Sequence, residues 1–448
     1  MNQIIRMMKL INEKPFILLI VLLIFCFSLQ LIKYHEIGNL ITCDGLGYYA
    51  HLRSLFIDGD LHYANEFRDY NPLLHGVPNP ETITCTKHVH NKYTIGLPLL
   101  WLPFFLLAHI FTILLNLFGL NIPLNGYSVL YHFFISFGSI FYGLIGLTLI
   151  YRILMKFFNR SVSLITVSAI TLGTNIIYYI GSDTTMSHAI SLFTVTWFIY
   201  LWLNNRNNYT VKYMIISGFS TGIMSLVRLQ NILFLILPVI DLFIELIQSK
   251  SFPQNLIWKR FIRICVFIFT FLLVLLPQFV VWKILYGKFV LYSYQGEGFN
   301  FLHPQIYNSL LSPLHGLIYW NPVILISLIG LVLFIKKQRK TGFMFAIAFL
   351  LQLYLNASWS FWSFGSSFGN RGFVNCSFVF AIGLAMLLSV LKRSSSIILY
   401  ITLTLLVFWN LIFMLQYSAG MISYNEPVYF HQVFNNLTNL LKFIFNLF

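Results

Sequence analysis

Asp44 is the first residue of the 448-residue sequence whose type and position could do chemistry. It stands ahead of Leu46, Tyr49 and Leu52, which begin a rough apolar stripe at helical spacing. A carboxylate here could deprotonate an acceptor hydroxyl, a role that contributes roughly a hundred- to ten-thousand-fold in rate. It could instead be the N-cap of the helix, which is worth about 1 kcal/mol. The two interpretations partly conflict, because capping hydrogen bonds stabilise the carboxylate and weaken it as a base.

Arg228 and His188 could bind a phosphate. Arg228 lies between two apolar runs, where an arginine at the bilayer centre costs about 2.5 to 3.5 kcal/mol on insertion scales. A lipid phosphate would offset that cost through charge-assisted hydrogen bonds and would be stabilised as a leaving group. Alternatively, the Arg228 side chain extends to the lipid headgroups. His188 opens a helix, where the helix dipole favours an anion, so it could donate to the same phosphate or cap the helix.

Arg371 and Asp183 are further candidates. Arg371 follows Gly365 and Gly369 in a turn with few bulky side chains, so it could reach a sugar or a phosphate. Asp183 could hold His188 or Arg228 in place, cap the helix or bind a metal. The metal interpretation is the weakest, because no second acidic residue forms an Asp-x-Asp pair with it.

The polar stretch 34–96 contains other possible substrate contacts. The helix after Asp44 is expected to lie along the membrane surface with its tyrosine rings at headgroup level. Residues of this stretch and of the loop at 183 are candidate sugar contacts: Tyr48, Tyr49, Asp60, Lys92 and Asp183. Trp320, Trp359 and Trp362 belong to an interfacial aromatic belt or stack on a sugar.

Cys85, His88 and His90 resemble a fragment of a metal site. A closed zinc site needs four ligands and a catalytic one needs three, so this spacing is weak evidence. A solvated loop or a disulfide between Cys43 and Cys85 explains these residues as well. No cofactor is required by the sequence, and a divalent metal is not supported by it.

The elements that position these residues must lie in a membrane. Hydrophobic residues make up 58% of the chain and charged residues 9%, against roughly 25% charged in a soluble domain. This composition excludes a soluble globular protein and a disordered chain. The net charge of +15 is scattered between apolar runs, whereas a nucleic-acid-binding protein concentrates its basic residues on one face. The sequence therefore predicts an all-α polytopic membrane protein that does not bind nucleic acid.

Charge placement predicts the topology. Arg6, Lys9 and Lys14 precede an apolar run at 16–32 that is too long for a signal peptide, so the N-terminus is expected in the cytoplasm. The segment Leu97–Phe118 contains prolines and is predicted to be re-entrant or a surface-lying pair of half-helices, because a full span would invert every later loop. About eleven transmembrane helices follow from this choice, at about 16–32, 127–150, 162–180, 187–203, 213–228, 231–247, 264–284, 317–335, 342–357, 373–391 and 397–416. Most acidic residues then face the outside, so chemistry is expected on the outer face.

Four segments are predicted on this basis. Residues 1–33 form the cytoplasmic N-terminus and the first transmembrane helix, and residues 34–126 form the long first outer loop. Residues 127–416 form the transmembrane helical domain, and residues 417–448 a short C-terminal segment.

The order of several short motifs resembles the glycosyltransferase C superfamily, the membrane enzymes that use polyprenyl-phosphate sugars, and is similar to its protein-mannosyltransferase-like branch. The resemblance covers residues 1 to about 390. Its motifs are Asp44 in a long loop after the first helix, Asp58-Gly59-Asp60, the stretch 91–103, Ser182-Asp183, Leu226-Val227-Arg228 and the stretch 363–371.

The resemblance implies that Asp44 is the catalytic base and that the apolar part of the first loop lies on the membrane. This sequence departs from the family pattern at two points, and both concern recognition of the acceptor more than the chemistry of the donor. Asp44 is followed by Gly45 rather than by a glutamate, and no soluble outer domain is expected after residue 416.

The predicted function is an inverting glycosyltransferase of the prokaryotic plasma membrane, with its active site on the outer face. Asp44 is the base, and Arg228, Arg371 and His188 bind the donor phosphate. The expected partners are a polyprenyl-phosphate sugar, the lipid bilayer and a glycan, lipid or protein acceptor. The alternatives are a polyprenyl-lipid transporter, an outer-face glycan ligase or polymerase, and an inactive member of the same fold.

Overall fold

The computed structural model describes residues 16–69, 79–206, 210–248, 254–391 and 393–446. Within these ranges the chain is helical, with short π-helical and 3-10 turns and two isolated β-bridges. Residues 1–15, with the basic cluster that predicted a cytoplasmic N-terminus, lie outside the described residues. The all-α fold class is confirmed.

The helices are numbered here in chain order. They are α1 (Phe16–Ile37), α2 (Asp44–Arg53), α3 (Ala64–Asp69), α4 (Gly96–Leu117), α5 (Val129–Leu154), α6 (Arg160–Leu172), α7 (His188–Asn205), α8 (Val211–Val227), α9 (Ile236–Gln248), α10 (Gln254–Tyr286), α11 (Ile306–Leu311), α12 (Leu317–Trp320), α13 (Val323–Lys337), α14 (Arg339–Ser358), α15 (Ser377–Val390), α16 (Arg393–Ser418), α17 (Phe430–Asn435) and α18 (Leu437–Asn446).

Seven helical segments in the described part are long and apolar enough to cross a membrane, which takes about 20 residues. They are Phe16–Ile37, Gly96–Leu117, Val129–Leu154, Trp258–Tyr286, Arg339–Ser358, Arg371–Val390 and Ile397–Ser418. Two shorter apolar helices are Arg160–Leu172 and Val211–Val227. The chain is an integral, multi-pass membrane protein, and the number of eleven spans stays a prediction.

The predicted break in the segment Leu97–Phe118 is wrong, because α4 is one continuous helix of 22 residues. Pro98 lies in the first turn, where a missing N–H breaks no helical hydrogen bond. Pro103 lies inside the helix and removes only one such bond. Trp101 anchors the same part of the helix by donating a 2.8 Å hydrogen bond to the Ser139 hydroxyl. The predicted topology assigned each later loop to one side of the membrane on the basis of this break. That assignment stays a prediction.

The chain divides into two compact units, and the four predicted segments stay a prediction. The first unit comprises Leu23–Gly146 and Asp183–Gly296. The second unit comprises Met1–Leu22, Leu147–Ser182 and Glu297–Phe448.

The first unit buries α2 in its hydrophobic core. Every residue of α2 from Gly45 to Arg53 is buried, so the prediction that its tyrosine rings lie at headgroup level is wrong. The predicted orientation of α2 along the membrane surface stays a prediction. Gly47 explains the close packing, because a Cβ there would overlap the Tyr93 ring. Aromatic residues from α4, α5 and α10 complete the core around α2, among them Trp101, Phe105, Tyr131 and Trp282.

An ionic cluster fixes the C-terminal end of α2. The Arg53 guanidinium donates to Asp58 at 2.5 Å, to Glu66 at 2.8 Å and to the Asn125 carbonyl at 2.8 Å. It also lies 4.1 Å from the ring centroid of Tyr127. Burial raises the pKa of Glu66 to about 7, although the hydrogen bond from Arg53 acts in the opposite direction. Arg53 therefore compensates a carboxylate that has no exposed surface.

In the second unit, α13 and α15 approach closely through paired glycines. A Cβ on Gly330 would overlap the Gly383 carbonyl, and a Cβ on Gly383 would overlap the Ser327 carbonyl. Small residues at such contacts are typical of membrane helix pairs. Trp320 is fully buried in this unit and donates to the Pro313 carbonyl at 2.9 Å, so its predicted place in an interfacial belt is wrong.

We expect Arg53→Ala to destabilise the protein by about 3 kcal/mol, because it leaves the Glu66 carboxylate buried without its partner. Arg68→Ala is the matched control. Arg68 pairs with Glu81 at 3.5 Å, but both side chains are more than half exposed, so its loss should change stability by less than about 0.5 kcal/mol. Thermal unfolding in one detergent measures both effects. Equal losses in the two variants would contradict the role of the buried cluster.

Candidate active site

Asp44 is the first residue of α2, and Cys43 before it is the N-cap residue. Cys43 has a φ of +50° and makes no side-chain capping bond. The prediction that Asp44 is the N-cap is therefore wrong by one position. The Asp44 carboxylate instead accepts a 2.6 Å hydrogen bond from the Tyr93 hydroxyl.

Tyr93 is a buried residue whose role the sequence did not indicate. Burial and the nearby Asp44 carboxylate raise the pKa of Tyr93 well above its ordinary value, so its hydroxyl stays protonated and donates. Its ring lies 4.7 Å from the Tyr48 ring centroid. Its backbone carbonyl is 3.0 Å from Nε2 of His51. The ring and the main chain of Tyr93 are thus both held in place. The Tyr93 hydroxyl, which donates to Asp44, is therefore held in place as well.

The tautomer of His51 follows from its partners. A carbonyl only accepts, so Nε2 carries the proton toward Tyr93, and Nδ1 accepts from the Tyr63 hydroxyl at 2.7 Å. Burial lowers the pKa of His51 to about 4, so the imidazole is neutral near pH 7. His51 therefore positions Tyr93 without adding a charge near Asp44.

Asp183 is held by Lys33, a residue near the C-terminal end of α1. The Lys33 ammonium lies 3.3 Å from the Asp183 carboxylate and 3.3 Å from the Thr42 hydroxyl. It thereby connects the segment before α7 with the segment that leads to Asp44. Among the described residues no group of three potential ligands could hold a metal ion.

His188 and Arg228 lie together in the first unit. The Arg228 Nη1 is 2.7 Å from Nδ1 of His188, and its Nη2 donates to the Gln230 side chain at 3.2 Å. Because a guanidinium only donates, Nδ1 of His188 is the acceptor and Nε2 carries the ring proton. The two residues predicted to bind the donor phosphate therefore form one hydrogen-bonded pair.

Two glycines connect the Asp44 region with this pair. A Cβ on Gly45 would overlap the Thr185 side chain, so the start of α2 packs against the segment that leads to His188. A Cβ on Gly96 would overlap the backbone of Leu226 and Val227, so the start of α4 packs against the chain just before Arg228. Packing contacts within the first unit thus connect the region of Asp44 with the hydrogen-bonded pair of Arg228 and His188.

The predicted sugar contacts have different surroundings. Lys92 is half-buried, with its ammonium 5.6 Å from the Tyr93 ring centroid and 4.9 Å from that of Tyr294. Tyr49 is fully buried and donates to the Gly126 carbonyl at 2.5 Å, so a sugar has no access to it. Asp60 is exposed and accepts from the Ser54 hydroxyl at 2.6 Å and from the His62 amide at 3.0 Å, which stabilises a turn.

Arg371 belongs to the second unit and starts a 3-10 turn, Arg371–Cys376. Its charge acts on His315, whose ring Nδ1 lies 2.9 Å from the Ser363 carbonyl. Burial, together with a smaller effect of the Arg371 charge, lowers the pKa of His315 to about 4. His315 is therefore a neutral neighbour of Arg371.

The proposed disulfide between Cys43 and Cys85 is wrong, because both are free thiols. Cys85 donates to the Tyr286 carbonyl at 3.3 Å. His90 Nδ1 lies 3.0 Å from the Tyr286 hydroxyl, and His88 Nδ1 lies 3.2 Å from the Thr86 hydroxyl. The contacts of Cys85 and His90 fasten the polar stretch to the end of α10.

The apolar helices of this chain define a multi-pass membrane protein. Its structure is similar to the crystal structure of ArnT from Cupriavidus metallidurans in the apo state, a GT-C glycosyltransferase, with a TM-score of 0.50 and 14% sequence identity. The match covers 84% of this chain and 60% of the ArnT chain. No protein-family model and no curated protein matches the sequence. The GT-C fold that the sequence resemblance predicted is confirmed.

We expect Gly96→Ala to destabilise the protein by about 1 to 3 kcal/mol, because the new methyl group must displace the backbone before Arg228. Gly298→Ala is the control, since a Cβ there meets no atom within 4 Å. Thermal unfolding in detergent compares the two variants. An unchanged melting temperature for Gly96→Ala would contradict the close packing of α4 on the end of α8.

Proposed function

We propose that this protein is a membrane glycosyltransferase that transfers a sugar from a polyprenyl-phosphate donor to an acceptor hydroxyl, with inversion at the anomeric carbon. One observation carries the proposal. A carboxylate oriented by a buried tyrosine belongs to the same packed unit as an arginine paired with a histidine. The similarity in fold to ArnT supports the same class of reaction.

Asp44 is the general base in this proposal. Its carboxylate takes the proton from the acceptor hydroxyl, and the resulting oxygen attacks the anomeric carbon. The bond between that carbon and the phosphate oxygen breaks, and the electron pair leaves with the phosphate. A single displacement of this kind inverts the configuration and needs one carboxylate.

Arg228 and His188 bind the donor phosphate. Phosphate is a good leaving group once its growing negative charge is compensated, and fixed donors do this most effectively where water is excluded. The Arg228 guanidinium can make two hydrogen bonds to phosphate oxygens, and the Nε2–H of His188 can donate a third. Their mutual hydrogen bond holds both groups in place before the donor arrives.

Lys92 is the proposed sugar contact of the first unit, because its side chain is only half-buried and its ammonium lies 5.6 Å from the Tyr93 ring centroid. Tyr48 is buried against the same ring, so it positions Tyr93 and does not touch a sugar. Asp183 acts through Lys33 and positions the start of α7. Arg371 stays predicted, from the sequence, to bind the phosphate of the sugar donor. The donor's lipid and the acceptor are proposed by class only.

We expect Asp44→Asn to abolish sugar transfer, because an amide cannot accept the hydroxyl proton, while the folded protein persists in detergent. The assay follows label from a radiolabelled polyprenyl-phosphate sugar into the membranes of the source organism. Glu81→Gln, a change at a largely exposed carboxylate, is the control and should transfer normally. Full transfer by Asp44→Asn would remove the proposed base.

We expect Arg228→Gln to lower kcat/KM for the donor by roughly a hundred- to a thousand-fold, as removal of a preorganised transition-state donor does. Arg228→Lys should retain part of the activity, because it keeps the charge but loses the bidentate geometry. Arg68→Gln, at an exposed arginine, is the matched control. The proposal fails at this point if the Gln variant turns over donor as the wild type does.

A further inference from the structure

The second unit contains a cavity of about 290 Å³ that is separate from the residues proposed for catalysis. Two indole rings and several polar side chains line it: Asn300, His303, Gln305, Trp359, Ser360 and Trp362. Its volume is near the lower end of the range for ligand pockets, about 300 to 1,000 Å³. A cavity of this size fits a ligand no larger than one or two rings.

Backbone pairing makes this cavity rigid. Asn300 donates to the Ser358 carbonyl at 2.6 Å, Gln305 donates to the Ala357 carbonyl at 2.7 Å, and Ser360 donates to the Gly298 carbonyl at 2.9 Å. The segment 298–305 is thereby fastened to the end of α14. The Trp359 ring packs edge-on against the buried Phe364 ring, with 5.0 Å between their centroids. Both walls of the cavity are therefore held before a ligand binds.

Two exposed side-chain amides in the wall each accept one hydrogen bond. The Asn300 side-chain oxygen accepts from the His303 amide at 3.1 Å, and that of Gln305 accepts from the Asn308 side chain at 2.8 Å. Each bond occupies the amide oxygen and leaves the NH2 group to donate to a ligand oxygen. Apart from His303, no lining residue is ionisable, so the cavity suits a neutral ligand.

The chemistry of the wall matches a pyranose ring. The apolar C–H face of a sugar packs on an indole, while its hydroxyl groups need neutral donors and acceptors. An aromatic belt at a membrane interface would explain Trp359 and Trp362, but it gives no role to the side-chain amides of Asn300 and Gln305. The pairing of rings with amides is therefore the observation that favours a sugar.

The cavity is connected, within the second unit, to the turn that carries Arg371. The Trp362 carbonyl accepts a 3.3 Å hydrogen bond from Asn370, the residue before Arg371. Four apolar side chains that neighbour lining residues in the sequence are exposed: Phe299, Phe301, Leu302 and Phe361. Exposed apolar side chains are expected where a protein meets a membrane.

We propose that this cavity binds a neutral pyranose of the acceptor glycan. The proposal rests on the proposed function, because it assigns the acceptor of that reaction to the class of carbohydrates. Asn300 and Gln305 donate to the sugar hydroxyl groups, and Trp359 or Trp362 packs on the C–H face of the ring. No bond is made or broken in this cavity.

The test measures sugar binding to the full chain in nanodiscs, in the Asp44→Asn background so that no transfer takes place. Saturation-transfer NMR titrates methyl glucoside, methyl galactoside, methyl mannoside and N-acetylglucosamine. A second arm places glucosyl diacylglycerol in the nanodisc and follows its contact with the protein by the same method. Binding in either arm supports the cavity, and the arm that binds identifies a free or a lipid-linked sugar.

Substitutions of the lining residues test whether the sugar binds in this cavity. Trp362→Ala should weaken it roughly 2- to 10-fold, as loss of one aromatic contact does, and the double variant Asn300→Ala with Gln305→Ala should weaken it at least as much. Trp258→Ala is the control, because Trp258 is 63% exposed and lies in the first unit.

The proposal is overturned if no sugar binds in either arm, or if the double amide variant binds like its parent. If Asp44→Asn has abolished sugar transfer, either result rejects only the sugar-binding cavity and does not contradict the proposed function. Conversely, sugar binding by a protein that shows no transferase activity would keep the cavity and reject the enzyme.

Discussion

The hydrogen bond from Tyr93 to Asp44 is the constraint on which the proposed site depends. A general base is effective only when its carboxylate is oriented toward the reacting proton. Tyr93 can orient it because His51 holds its carbonyl and because Gly47 leaves room for its ring. The burial of α2 therefore serves to fix one carboxylate, and the Arg53 cluster secures the other end of the same helix.

Much of this architecture follows from composition and charge. Long apolar runs predicted an all-α membrane fold, and the position of Arg228 between two such runs predicted that its charge needs compensation. The structure gives Arg228 a hydrogen-bond partner in His188. Tyr93 and Lys33 could not be identified in the same way. Tyr93 is 49 residues from Asp44 and Lys33 is 150 residues from Asp183, and only the folded chain brings these residues into contact.

The wrong predictions also have physical causes. Prolines in α4 indicated a break, but the packing around Trp101 outweighs the one helical bond that Pro103 removes. The apolar stripe after Asp44 indicated tyrosine rings at headgroup level, yet the same pattern suits a helix buried on all sides. The glycines at 45 and 47, which a helix propensity scale disfavours, are the residues that permit this burial.

A structure of the protein in nanodiscs with a polyprenyl phosphate bound would decide whether Asp44 and Arg228 form one active site. We expect the phosphate oxygens to lie within hydrogen-bonding distance of the Arg228 guanidinium and of Nε2 of His188. We also expect the Asp44 carboxylate to face the space that the departing sugar would occupy. A phosphate bound away from Arg228, with Asp44 facing protein instead of ligand, would contradict the assignment of both donor site and base.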